Sequence, residues 1–141
     1  MSTPALPSFA DLKDEFAFLD PEDRYRTLID LGRQLEPMPD ALKTPATKVR
    51  GCSSQVWVHG TMLADGRLHF LGDSDAHIVR GLVAVLLALV QDRTPAEISA
   101  VDARARLAEL GLGGHLSPTR TNGFYSMVAR IQELARASAA A

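Results

Sequence analysis

The stretch KVRGCSSQVWVHG, residues 48 to 60, holds Cys52, the one cysteine in 141 residues. It follows Arg50 and Gly51 and precedes Ser53, Ser54 and Gln55, at the mouth of a segment with β-strand character. A free cysteine is most often a small buried hydrophobe. These neighbours point elsewhere: Gly51 permits a turn or the close approach of another backbone, and Lys48 and Arg50 bring cations that shift a thiol toward thiolate. A metal or cluster held by the chain alone needs about four thiolate or imidazole ligands. Here one Cys and the dispersed His59, His69, His77 and His115 show no ligand spacing. A Cys-His hydrolase could draw on His77 or His115, but no orienting Asn or Asp signature and no oxyanion-hole motif accompanies them, and both read more simply as hydrogen-bonded structural residues. With no second cysteine, a dithiol cycle lacks its resolving thiol. The chemistry left is one-thiol group transfer, in which Cys52 attacks a sulfur atom and holds it as a persulfide. A binding module with an inert Cys52 and the hydrolase stay open as alternatives. A persulfide must be protected from oxidants, so the loop is expected to be partly shielded at rest, with Trp57 and the strand behind it as an apolar wall or as core.

Two further places carry charge near possible helix starts. Ser74 or Asp75 in GDSDA reads as a helix cap, which leaves one of Asp73 and Asp75 unexplained. Arg120 in SPTRTNG falls in a helix first turn, where the dipole disfavours a cation, and this hints at a partner contact.

The elements that must position these residues follow from period and punctuation. Ser8 and Asp11 open a short helix with an apolar face of Phe9, Leu12, Phe16 and Leu19. Asp20-Pro21-Glu22-Asp23 opens a second, predicted to end near Glu36. Pro37, Pro39 and Pro45 make the next segment a connection, and Pro45 to Arg50 reads as a further extended edge. Val56 and Val58 alternate with Trp57 and His59, ADGR at 64 to 67 supplies a turn, and Leu68 and Phe70 alternate in return, which predicts a hairpin. Apolar residues nearly all round from Ile78 onward predict a central buried helix. Thr94 to Glu97 is a capping box, and Asp102 caps a helix over Ala103 to Leu110 stopped by Gly111, Gly113 and Gly114. Ser117-Pro118 opens a last helix with Phe124, Met127, Val128, Ile131 and Leu134 on one face. The order predicts an α+β fold, a small antiparallel β-sheet packed against several α-helices, in one domain over 1–141 with residues 1–7 and 137–141 frayed.

Composition agrees with one domain and excludes several classes. At 15.2 kDa and 46% hydrophobic the chain can build a core. A net charge of -2 marks no nucleic-acid or membrane-surface binder. LVAVLLALV, Leu82 to Val90, is far short of the roughly 20 residues of a membrane span. One cysteine and no signal-peptide pattern predict a soluble cytoplasmic protein.

Taken together, RYRTLIDLGRQL, KVRGCSSQVWV, GDSDAHIVRGLVAVLLAL, TPAEI and LGGHLSPTRTNGFYSMVARI resemble the SufE family of sulfur acceptors, which includes CsdE-type members. The resemblance covers most of the chain and is looser over residues 1 to 20 and the Ala tail. It implies a fold like that of the Fe-S scaffold IscU without the scaffold's cluster ligands. It also implies a partner, a pyridoxal-phosphate cysteine desulfurase of SufS or CsdA type, whose persulfide sulfur Cys52 takes and passes on to an Fe-S scaffold. On that view the accessory protein turns nothing over alone and carries no cofactor or metal of its own. Asp75 and Arg120 match positions associated with desulfurase docking and loop release, Asp75 would hold the thiol loop at rest, and Gly51, as the hinge of that loop, joins them in partner binding or loop control. Monomer and homodimer are both compatible with it.

Overall fold

The computed structural model describes residues 6–112 and 116–139. Helix α1, Phe9–Ala17, starts where Ser8 accepts from the Asp11 N–H, and α2, Pro21–Gly32, starts where Asp20 accepts from the Asp23 N–H. Each cap satisfies an N–H that has no partner within the helix. α2 stops short of the predicted Glu36: the Gln34 and Leu35 N–H groups bond only three residues back, to Leu31 and Gly32. Glu36 precedes Pro37, whose ring disfavours helical backbone at the residue before it.

After a 3₁₀ turn over Asp40–Leu42, strand β1, Val56–Met62, pairs antiparallel with β2, Leu68–Ser74, from Val56 opposite Ser74 to Met62 opposite Leu68. The predicted edge segment pairs only through Thr47 to Val49, by Val49 N–H to Val56 O at 2.8 Å and Val58 N–H to Thr47 O at 2.9 Å. Pro45 and Ala46 lie in a turn, closed by the Thr47 and Lys48 N–H groups on Thr44 O. Side chains alternate along a strand, so Val56, Val58, Leu68 and Phe70 face the core while Trp57, Asp73 and His69 face outward.

Helix α3, His77–Val90, has nine buried residues and lies at the centre, as its all-round apolar pattern predicts. It crosses α2 with the backbones nearly touching: a Cβ at Gly81 would lie 2.2 Å from Leu28 O, so no larger residue fits there without shifting a helix. The expected caps for α3 do not form. Its N-cap is Ala76, with no side-chain bond, because Ser74 ends β2 and is buried, its Oγ accepting from the Ala76 N–H.

Helix α4, Pro95–Ser99, has the predicted capping box, and α5, Ala103–Glu109, is capped by Asp102. Leu110 is its C-cap, followed by Gly111 at φ 72°. Gly113, Gly114 and His115 lie outside the described residues, as do 1–5 and 140–141. Helix α6, Pro118–Ala139, continues to the last described residue, past the predicted start of fraying at 137. Phe124, Met127 and Ile131 bring it onto the same hydrophobic cluster that takes Phe16, Leu28, Val58, Phe70, Leu86 and Ile98 from the other elements. This is the predicted α+β layer, a small antiparallel sheet under helices. Among the described residues no helix is long and apolar enough to cross a membrane.

Candidate functional site

Cys52 sits on the loop that joins the edge segment to β1, and Gly51 sets its direction. Gly51 has φ 88°, a left-handed conformation that costs an L side chain about 1–2 kcal/mol. A Cβ there would also lie 2.6 Å from Ser126 Oγ on α6. The reversal turns the thiol inward, half-buried against the core, where Sγ donates to Gly123 O across 3.5 Å. The surrounding cavity is about 420 Å³ and is lined by Val79, Leu82 and Met127 on its apolar side and by Ser54, Ser117 and Arg120 on its polar side.

The expectation that Lys48 and Arg50 draw the thiol toward thiolate is not met. Burial pushes the Cys52 thiol up from its ordinary range, while both cations stand in solvent, where water and salt screen them. The expected shielding is present, but Trp57 does not provide it. Trp57 lies on the outer face of the sheet, half-buried, with Lys43 Nζ 5.5 Å above its ring. α3 and α6 form the wall instead, through Val79, Leu82 and Met127, which helical periodicity by itself assigns only to helix cores. A signal for the α6 side was available: Gly123 interrupts an otherwise ordinary helix, and a Cβ there would meet Cys52 Sγ at 3.6 Å.

The far end of the loop is held by Asp75. Its Oδ1 accepts from the Gln55 N–H at 3.0 Å and its own N–H donates to Gln55 O at 3.2 Å. Together these bonds add one more rung beyond Val56 and Ser74, with a carboxylate in place of a carbonyl. Asp75 is therefore not the α3 cap that its position suggested. Asp73 is not spare either. Its carboxylate lies 2.9 Å from Lys43 Nζ and 2.9 Å from Arg80 Nε, the latter close yet misaligned for a hydrogen bond. The bond to Asp73 is the main reason that the Lys43 pKa is raised.

Arg120 stands in the first turn of α6, its N–H donating to Ser117 Oγ at 3.2 Å and its exposed side chain bordering the Cys52 cavity. The structure thus brings Gly51, Cys52 and Arg120 to one site, with Asp75 at the exit of the loop. His77 is the exposed first residue of α3 and does not line that cavity; among the described residues its ring has no hydrogen-bond partner. Neither its catalytic nor its hydrogen-bonded structural reading is met there. His115 lies outside the described residues. Among the described residues no group of three or more His, Cys, Asp or Glu could hold a metal ion.

Known proteins share this sequence and fold. A profile of the SufE family, described as an Fe-S metabolism associated domain, matches residues 10–135. An uncharacterized SufE-like protein of Rhizobium meliloti is 48% identical over 131 residues, 90% of this chain and 94% of the relative. The sulfur acceptor protein CsdE of Escherichia coli is 46% identical over 106 residues, 75% of this chain and 72% of the relative. The solution structure of a hypothetical protein from Thermus thermophilus has a TM-score of 0.78, covering 98% of this chain and 100% of its own, at 18% identity, a likeness of fold.

Proposed function

The chain belongs to the SufE family, whose members are accessory sulfur carriers without turnover of their own, and from that premise we propose that Cys52 is its sulfur-accepting atom. The donor is a cysteine desulfurase of SufS or CsdA type that carries sulfur as a persulfide on its own cysteine. The Cys52 thiolate attacks the terminal sulfur; the new Cys52 S–S bond forms, the donor's S–S bond breaks, and the donor's sulfur leaves as a thiolate. No net oxidation occurs, and clearing the persulfide frees the desulfurase for its next cycle. Cys52 then hands the sulfur to Fe-S assembly in the cytoplasm. The observation that carries this reading is a lone thiol in a turned, polar-edged loop, sheltered in a cavity that could surround an added sulfur atom.

Asp75 acts as the latch. One hydrogen bond to a carboxylate contributes about 1.5–3 kcal/mol, toward the lower end where both residues are exposed, as here. Docking contacts of that size open the loop. An opened Cys52 regains hydration and loses the burial that raises its pKa, so the reactive thiolate forms where the donor is. Arg120, at the rim, then faces the arriving persulfide or the protein that bears it.

Intact-mass measurement after mixing with desulfurase and cysteine tests the reading. Wild type gains roughly 32 Da per sulfur atom and Cys52→Ser gains none; an unlabelled wild type sinks it. The half-burial of the thiol favours one rival, a binding module with an inert cysteine. Under it, Cys52→Ala stimulates the desulfurase as well as wild type does.

A further inference from the structure

Most cations of this protein are already engaged by its own groups. Arg26, Arg33, Lys43, Arg67, Arg106 and Arg130 pair with acids three residues or fewer away, and Arg93 with one four away. Lys13 and Arg80 meet acids from other elements, Arg24 donates to backbone carbonyls, and Arg104 lies over Tyr125. Among the described residues, Lys48, Arg50, Arg120 and Arg136 alone lack such a partner, and three of these four flank the Cys52 loop.

Lys48 and Arg50 also share a groove. It comprises two adjoining hollows that share Pro45, Lys48, Val49 and Arg50, one bounded by α6 and the other by Gly51 and Cys52. Its α6 wall is braced by Arg130, which donates to Ala46 O at 3.2 Å and to Glu133 at 3.1 Å. Glu133 is the one acid that lines the groove, and Arg130 already offsets it. The groove therefore has net positive charge on a protein whose total is -2. Placed against a neutral surface, Lys48 and Arg50 would lose hydration without recompense, so the favoured occupant carries carboxylates. A nucleic-acid strand is a poor fit, because phosphate-driven binding draws on a wider run of cations than two or three.

We propose that this groove is a docking surface for an acidic segment of the sulfur-donating desulfurase, laid along residues 45 to 50 so that the donor's persulfide arrives beside Cys52. The proposal rests on the sulfur-acceptor reading and adds the chemistry of the contact. Carboxylates there also steer the encounter, because opposite charges raise association rates at low salt.

Titration of the purified desulfurase with the full chain, at low and at high salt, tests it. Wild-type affinity falls as salt rises, and Lys48→Glu/Arg50→Glu weakens binding on the order of tenfold or more. The charge-retaining Lys48→Arg/Arg50→Lys binds like wild type. Arg26→Glu/Arg33→Glu, which changes net charge equally at exposed residues that do not line the groove, binds within about twofold of wild type. Salt-independent binding by wild type overturns the proposal, as does an equal loss in the matched variant. Should the Glu variant fail to fold, the salt series and the charge-retaining variant still decide it. Sulfur uptake by wild type is read separately by mass, so a failed groove leaves the acceptor reading standing, whereas absent uptake removes both.

Discussion

Carboxylates fasten both ends of the hairpin, but at one end they join its two strands to each other and at the other they join it to the body of the protein. At the end that leads to Cys52, the tie is one rung between two exposed residues, Asp75 Oδ1 accepting from the Gln55 N–H at 3.0 Å and the Asp75 N–H donating to Gln55 O at 3.2 Å. Near the turn, the His69 ring lies between Asp92, 2.7 Å from Nδ1, and Glu36, 2.8 Å from Nε2. That clasp gathers the segment after α2, strand β2 and the connection after α3. Gln91 reinforces it, its side-chain amide pairing with both Phe70 N–H at 2.7 Å and Phe70 O at 2.8 Å as a neighbouring strand would. The clasp joins three segments through both ring nitrogens and is backed by the Gln91 amide, whereas the Asp75–Gln55 junction is a single terminal rung between exposed residues and opens more readily. The difference places rigidity at one end of the sheet and freedom at the other, the end with the thiol.

The largest effect is expected at the clasp. His69→Gln should destabilise the fold by roughly 2 kcal/mol at pH 6, read as a shift in urea midpoint, while leaving Cys52 alkylation unchanged. Burial opposes the charged ring, but the bonds to Asp92 and Glu36 outweigh it and raise its pKa. The clasp's contribution is therefore complete below the unfolded value of about 6.5 and fades as pH rises through the higher folded value. The wild-type advantage over His69→Gln should shrink between pH 6 and 9, and an advantage that grew would invert the assignment.

Next is the latch. Asp75→Arg should speed Cys52 alkylation on the order of tenfold at neutral pH with little change in urea midpoint, since a loss of about 1.4 kcal/mol multiplies the open population by ten. Because burial holds the wild-type thiol up, its alkylation rate should inflect at higher pH than an ordinary thiol, and the Asp75→Arg inflection should move down. A rate no faster than wild type removes the latch.

Gly51→Ala should cost about 1–2 kcal/mol from the left-handed backbone, with Ser126 Oγ able to swing aside. A thermal melt reads this cost, and alkylation reports the displaced thiol. The smallest effect is that of Gly123→Ala, which should raise helix stability by about 0.5–1 kcal/mol while its methyl, in ordinary contact with Sγ, slows sulfur uptake. Faster uptake in that variant would show that the space beside Gly123 is not where the added sulfur lies.

Much of this was legible from residue order. Ser8, Asp20, Thr94 and Asp102 cap the helices they were expected to cap, because a cap is a bond across three residues and needs nothing from the rest of the chain. The hairpin followed from alternation and a turn, and the single thiol in a polar loop followed from composition alone. Asp75 and Ser74 misled for the same local reason: near a helix start both looked like caps, but β2 runs on into the junction and claims them for other bonds. Trp57 was read as core or as a wall beside the thiol and is neither, because strand alternation sends it, half-buried, to the outer face of the sheet.

Tertiary structure alone decided the state of the site. Gly123 O receives the thiol from 71 residues away, and Val79, Leu82 and Met127 close the cavity from two other helices. A thiol's pKa is set by what surrounds it in space, so adjacent cations in the sequence pointed one way and burial decided the other. The partners of His69 lie 23 and 33 residues off, too far for any local rule to pair them. Local bonds wrote the elements and residue order placed the single thiol in its loop; packing of distant elements determined its shelter and raised its pKa.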